Sequence, residues 1–527
     1  MGSKSKIQKL KRLSFFDKAI IVYLFFLLIF LIYTFHLNSL STDEGTHLLL
    51  SKFYRDLILH LINTRDFSFN NAYQYGIEYL VTYPKLQIAY PPFYYLSNIL
   101  AFYIFGISIF TARLVNLVYA ILSFFIFYLI LKKFFDSKIA FISTFLFSFP
   151  PIPVFYSSRV TMDFCVFFWL LLSIYTFIIA VKGKRKRFFF LTGISASFAT
   201  LSKQMGSMII FFYFLIFFKK IVFEKKERIE NLKIIAILIL SFSLFLLPYL
   251  FILNKIGGFE INKMVAIDYA SISGEPTSVL DPMFWLYYFI KLININSINS
   301  LIFLPLFLFS FILYIYEKNL HWRKILLFFF VFYIGLSLIP NKEPRFSLYF
   351  LLPTFLTLGY YLNKTNRILV ILFLISYIVV TLYIFLPTIS YYPVETLANY
   401  IYENNSENGN IAMFSDFEPL HSSEVMWHPS QYDKNRTIRV YRSCIFTDKN
   451  KEEILELLQN NNIYFIVYSA WSNDKQIEKI KDNLTLVDTI DFKGLVTEIY
   501  TFNDFRYDSN MKKCNYICLT KQTICTQ

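Results

Sequence analysis

The sequence predicts a polytopic α-helical membrane protein with a soluble α/β domain in its C-terminal part. Three observations predict it. Of 527 residues, 56% are hydrophobic, with 63 Phe and 39 Tyr, and the mean hydropathy is +0.49, well above that of a water-soluble globular chain. Apolar runs near the ~20 residues that cross hydrocarbon recur along the first 387 positions. Basic residues cluster in the short gaps between those runs, as in Lys182–Arg187, Lys132-Lys133 and Lys219-Lys220, the pattern that orients membrane helices.

The apolar runs fall at 19–38, 111–131, 139–155, 162–181, 188–202, 205–218, 234–253, 299–316, 325–340, 346–362 and 368–387, about eleven spans. The first follows a basic segment, Met1 to Lys18, and is longer than a signal-peptide core, with no small-residue cleavage site after it. It reads as an uncleaved helix entering from the cytoplasm. With sides alternating from there, the cytoplasmic gaps hold about half of the chain's 51 Lys and Arg. Phe188 to Phe218 is too long for one upright span and short for two, and reads as a tight outer hairpin with Lys203-Gln204 at its turn. A single tilted helix would bury Lys203 in lipid and put the charged gap Lys219–Lys233 outside.

Two outer loops are long, 39–110 and 254–298, and both carry aromatic stretches, Tyr90 to Gly106 and Trp285-Leu-Tyr-Tyr-Phe. A crossing by the first would reverse the parity of every later span, so both are expected to lie along the interface. Residues 1–387 thus form the membrane domain and 388–527 an extracytoplasmic α/β domain. In the latter, Ile411–Phe414, Thr437–Tyr441 and Ile463–Tyr468 read as strands, and Lys451–Asn460 and Asp474–Asp482 as helices. Cys444, Cys514, Cys518 and Cys525 allow two disulfides of open connectivity, and sequons stand at Asn404, Asn435 and Asn483. The cysteine spacing does not suit zinc, and His421 and His428 read as surface residues.

A net charge of +15 suits nucleic acid, anionic lipid or a topology signal. The basic runs lack interleaved aromatic residues, which excludes a nucleic-acid module. The informative charges are those at outer helix ends. Asp43, Glu44 and His47 follow the first span; Lys85 precedes Pro91-Pro92; Arg159 and Asp163 open the fourth span; Lys203 sits at the hairpin turn; Lys342, Glu343 and Arg345 open the tenth. Any one could snorkel to the headgroups. Gathered on one face, they suit the attack of a hydroxyl on a sugar carried by a lipid phosphate, where a carboxylate takes the proton and cations stabilise the departing phosphate. A helix would put Asp43 and His47 on one face, so a divalent metal at Asp43, Glu44 and His47 is weighed, but the cluster lacks a fourth ligand; no metal is expected, and Glu44 and His47 read as satisfied by local hydrogen bonds.

From Ala19 to Tyr361 the chain resembles the GT-C glycosyltransferases that use polyprenyl-phosphate sugars, such as protein O-mannosyltransferases and lipid A aminoarabinose transferases. The resemblance rests on six motifs in order. Asp43-Glu44 follow helix one; Pro91-Pro92-Phe93 leads to Gly106; Ala112-Arg113-Leu114 opens the second helix. Arg159 and Asp163 precede the fourth span, a Gly193 to Lys203 run closes on lysine, and Arg345-Phe346 leads to Pro353. Tyr90 stands where several relatives place Lys, so that phosphate contact has passed to Lys85 or been lost.

The resemblance implies Asp43 as catalytic base, Glu44 as its neighbour in acceptor or metal handling, Asp163 as a second acidic residue, and Lys203, Arg345, Lys85 and Arg159 as donor-phosphate contacts. The expected reaction is inverting transfer of one sugar from a dolichyl or undecaprenyl monophosphate to a hydroxyl of a protein, lipid or glycan at the cell membrane's outer face. Trp427 and Trp471 stand alone, without the Trp-Trp-Asp of oligosaccharyltransferases. The rival class is a transporter or lipid-linked-sugar flippase, which would carry repeats and charges near the midplane.

Overall fold

The computed structural model describes the chain from Ser14 onward except residues 36–43, 83–89, 184, 224–227, most of 257–319, 340–343, most of 389–409, 415–439, 443–449, 461–462, 470–476, 493–494, 503–512, 518–521 and 527. It forms two compact units: 1–35, 91–94 and 113–389 in one, and 36–90, 95–112 and 390–527 in the other.

The first unit is a helical bundle. Helix α1 (Phe15–Phe35) starts with a capping box, the Ser14 N–H donating to Asp17 Oδ2 at 2.9 Å and the Asp17 N–H to Ser14 Oγ at 3.2 Å. Its buried residues Ile20, Leu24, Leu27, Leu31 and Phe35 recur every three or four positions, while Phe25, Phe26, Ile29 and Tyr33 are exposed. An apolar residue on both faces is costly in water and natural in lipid. The helix is tied down at Asp17, which accepts hydrogen bonds from Tyr128 at 2.6 Å and from Lys132.

In the same unit follow α5 (Ile109–Leu131, whose first turn belongs to the second unit), α6 (Ser137–Ser148), α7 (Pro151–Ser157), α8 (Asp163–Gly183), α9 (Lys186–Ser202), α10 (Met208–Phe223), α11 (Arg228–Lys255), α12 (Leu320–Ser337), α13 (Leu352–Lys364) and α14 (Arg367–Thr388). The numbers α2 to α4 belong to the second unit. Among the described residues, α1, α5, α8 and α11 are long and apolar enough to cross a membrane. The chain is a multi-pass membrane protein.

Two expected spans need correction. The run 346–362 divides into a short helix, Ser347–Phe350, and α13, which starts anew at Leu352 with Pro353 in its first turn. The run 139–155 is not one helix: α6 ends at Ser148 and α7 restarts at Pro151, because Pro150, Pro151 and Pro153 lack the N–H groups a continuous helix uses and their rings clash with the preceding turn. The expected run 299–316 lies almost wholly outside the described residues. Phe188 to Phe218 does break: α9 stops at Ser202, Gln204–Ser207 forms a 3-10 turn, and α10 begins at Met208. A Cβ on Gly206 would lie 2.4 to 2.6 Å from the backbone of Ala199 and Thr200, so only glycine lets this turn close. Phe284, Tyr287 and Tyr288 are buried, with the Tyr288 hydroxyl donating to Leu336 O at 3.4 Å and Tyr333 of α12 donating to Trp285 O.

The second unit holds α2 (Glu44–Thr64), α3 (Phe69–Thr82), α4 (Phe93–Phe105, whose first two residues belong to the first unit) and a mixed sheet. With 13 residues, α4 is about 20 Å long, short of the ~30 Å hydrocarbon core. The sheet runs β2 (Val440–Arg442), β1 (Asn410–Met413), β3 (Ile463–Ser469), β5 (Leu495–Phe502), β4 (Leu484–Phe492), with β1 parallel to both neighbours and β5 antiparallel to both of its own. Helix α15 (Lys451–Asn460) buries Ile454 and Leu458, one turn apart, and opens with a capping box between Asn450 and Glu453. The predicted helix Asp474–Asp482 is corrected: its described part is two 3-10 turns, Ile477–Lys479 and Lys481–Asn483. Strands β6 (Lys513–Ile517) and β7 (Gln522–Thr526) form a separate hairpin with Cys514 opposite Cys525 in register.

Candidate active site

Three of the sequence-predicted residues meet in the helical bundle. Asp163 is the first residue of α8, where a carboxylate is favoured by the helix N-terminus. The loop that delivers it is held by Asn116 of α5, whose amide donates to the carbonyls of Tyr156 and Arg159, both at 2.7 Å. Lys203 leaves α9 in an extended conformation, φ −162° and ψ 138°, and so swings off the helix axis toward α8. Arg345 lies in the 3-10 turn Pro344–Phe346 that precedes α13.

Lys203 Nζ donates to Asp163 Oδ1 at 3.1 Å, and Arg345 Nε stands 3.6 Å from Asp163 Oδ2. The Tyr349 hydroxyl reaches Asp163 O at 3.2 Å and Oδ1 at 3.4 Å. Asp163 is 1% exposed and Arg345 9%. The cations are further seated on aromatic faces, Lys203 4.5 Å from the Phe346 ring centroid and Arg345 5.9 Å from that of Tyr156. Arg159, 1% exposed, places its guanidinium 4.2 Å from the Phe155 ring centroid. Burial weakens solvent screening, so two cations held on one carboxylate interact strongly with it and with any anion that reaches them.

Arg113, part of the Ala-Arg-Leu motif, donates to Phe35 O at 2.9 Å and so caps the C-terminal end of α1. Tyr349 and Asn116 are contributors that sequence reasoning missed. Tyr349 had a legible signal, standing one helical turn after Arg345; Asn116 had only its polarity within an apolar span.

Glu44 and His47 open α2 in the second unit. Glu44 is fully buried and His47 is 5% exposed. His47 Nδ1 lies 3.0 Å from the Tyr95 hydroxyl, Ser51 donates to His47 O at 2.8 Å, and Asn98 donates to Ser51 Oγ at 2.9 Å. Among the described residues no three His, Cys, Asp or Glu side chains gather as metal ligands. Asp43 and Lys85 lie outside the described residues, as do His421 and His428.

The helical bundle thus gathers two cations on one buried carboxylate. Residues 89–247 match the family model described as dolichyl-phosphate-mannose-protein mannosyltransferase. Among solved structures the chain is similar to ArnT from Cupriavidus metallidurans bound to undecaprenyl phosphate, with 11% identity, a TM-score of 0.59, and coverage of 93% of this chain and 99% of that one. It is also similar to the archaeal oligosaccharyltransferase AglB from Archaeoglobus fulgidus in complex with an inhibitory peptide and a dolichol-phosphate, with 13% identity, a TM-score of 0.53, and coverage of 94% and 76%. No curated protein matches the chain in sequence.

Proposed function

We propose that the protein transfers a single sugar from a polyprenyl monophosphate to a hydroxyl acceptor, with inversion, at the outer face of the cell membrane. The observation that carries this reading is the gathering of Lys203 and Arg345, 142 positions apart in sequence, on the buried carboxylate of Asp163. Such a pair can pass from the carboxylate to an arriving phosphate without moving far. The solved relatives that hold undecaprenyl phosphate and dolichol-phosphate support the donor class.

In the proposed reaction Asp43 removes the acceptor hydroxyl proton as that oxygen attacks the anomeric carbon. The anomeric carbon–oxygen bond to the phosphate breaks on the opposite side, and the bonding electrons leave with the polyprenyl phosphate. Lys203 and Arg345 stabilise the charge gathering on that phosphate, with Arg159 and Lys85 as further contacts. Asp163 orients the two cations before the donor arrives. Glu44, adjacent to Asp43, handles the acceptor, and the C-terminal residues 388–527 shape acceptor access.

Membranes supplied with radiolabelled polyprenyl-phosphate sugars test the scheme. Asp43→Asn and Arg345→Ala are each expected to lose transfer by about 100-fold or more, the size seen when one transition-state donor is removed. Full transfer by Asp43→Asn rejects the base assignment, and solute movement without sugar transfer rejects the enzyme reading in favour of a transporter.

A further inference from the structure

At the end of the bundle remote from Asp163 lies a cavity of about 340 Å³ between α5, α8, α10, α12 and α13. That volume is at the lower end of the ~300–1,000 Å³ of ligand sites. Its lining among the described residues is apolar, including Leu131, Leu171, Phe212, Phe328 and Leu356, with one charged residue, Lys182. A second cavity of about 270 Å³ shares Ile178 and Lys182 with it and is lined also by Lys133 and Arg185. A greasy chamber therefore adjoins a mouth bearing three exposed cations.

The mouth is organised. Lys182 Nζ donates to Lys133 O at 2.8 Å and stands 4.8 Å from the Phe134 ring centroid, while Lys133 stands 5.9 Å from that of Tyr175. These contacts hold the lysine stems along the protein surface and keep the ammonium groups at the rim.

We infer that this chamber and its rim form a binding site for an anionic phospholipid, with the headgroup phosphate at Lys133, Lys182 and Arg185 and one acyl chain in the cavity. The charge complementarity selects an anionic head, and the cavity size selects a single alkyl chain over a long isoprenoid. Asp163 and Lys182 lie at opposite ends of α8, 19 residues apart, or about 28 Å. A headgroup at Lys182 therefore occupies the leaflet opposite the Asp163 cluster and cannot be the donor phosphate. The inference does not depend on the sugar-transfer chemistry.

Delipidated full-length protein would be titrated with phosphatidylglycerol or phosphatidylcholine of identical acyl chains and read by native mass spectrometry. Phosphatidylglycerol is expected to bind at least ten-fold more tightly. The surface variant Lys133→Gln/Lys182→Gln/Arg185→Gln should remove that preference, and Ile178→Trp, which fills the shared wall, should weaken both lipids; an unchanged melting temperature shows each variant folded. Equal binding of the two lipids by the native chain overturns the inference, as does an undiminished preference in the triple variant. Displacement of phosphatidylglycerol by equimolar polyprenyl phosphate would reassign the site to the carrier and overturn it too. The triple variant decides alone if Ile178→Trp does not fold.

Discussion

Lys203 and Asp163 meet at 3.1 Å although 40 residues separate them, because α8 and α9 form an antiparallel pair that returns the end of α9 to the start of α8. Arg345 completes the arrangement from a third segment. The carboxylate thus holds two cations from different parts of the chain in one place before any substrate binds.

Asp163→Asn removes the one charge of opposite sign that contacts Lys203 among the described residues, while both cations stay buried or nearly so. Breaking a buried ion pair from one side costs about 3–5 kcal/mol, so detergent-solubilised variant is expected to melt several degrees lower. Added polyprenyl phosphate should restore part of the loss, since its phosphate replaces the missing anion. A variant that melts like the native protein would show that Asp163 is not the organiser of the cluster.

Tyr349→Phe deletes the hydroxyl that reaches Asp163 O and Oδ1 and preserves the ring. The expected cost is about 1 kcal/mol of stability, with sugar transfer reduced several-fold and the apparent affinity for donor little changed. Steady-state rates at varied donor concentration separate these two effects.

Gly193→Ala puts a Cβ 1.9 Å from Ser241 Oγ and 2.7 Å from Leu238 O, which α9 and α11 cannot accept without moving apart. The variant is expected to lose about 1–3 kcal/mol, read as lower yield and melting temperature. Adding Ser241→Gly, which removes the nearest clashing atom, should recover part of it.

Lys481 lies beside Glu498 at 3.3 Å, and hydrogen bonding to Tyr500, aided by the Glu498 charge, holds its ammonium above the usual lysine range. A raised value means the charged form is favoured by folding. The stabilisation is therefore fully present below the ordinary lysine value and lost as pH rises through the elevated one. Competitive acetylation read by mass spectrometry should find Lys481 slower to react at pH 9 than other exposed lysines of the same domain. Glu498→Gln should narrow that difference.

The sequence alone determined the class of this protein. Apolar runs of membrane length and the basic gaps between them were enough to make it a helical membrane protein, because a helix satisfies its backbone groups within itself in hydrocarbon. The capping boxes at Ser14 and Asn450 and the turn at Gly206 were also local, written in adjacent residues. The strands β4 and β5 went unread because Leu495 to Phe502 runs Leu-Val-Thr-Glu-Ile-Tyr-Thr-Phe, apolar and polar residues falling in pairs and not in the alternation of a half-buried strand. The break at Pro150-Pro151 was legible too, in the proline run itself.

What only the tertiary structure decided is which charges meet. Asp163, Lys203 and Arg345 each look like a helix-end residue able to snorkel, and nothing local says that three segments converge. Their meeting depends on the return of α9 along α8 and on the turn before α13, which are packing outcomes. Asn116, which holds the loop before Asp163, and Tyr349, which reaches Asp163 itself, were hidden for the same reason: a polar side chain in an apolar stretch acquires its partner from whichever element packs against it, and no spacing along one chain encodes that choice.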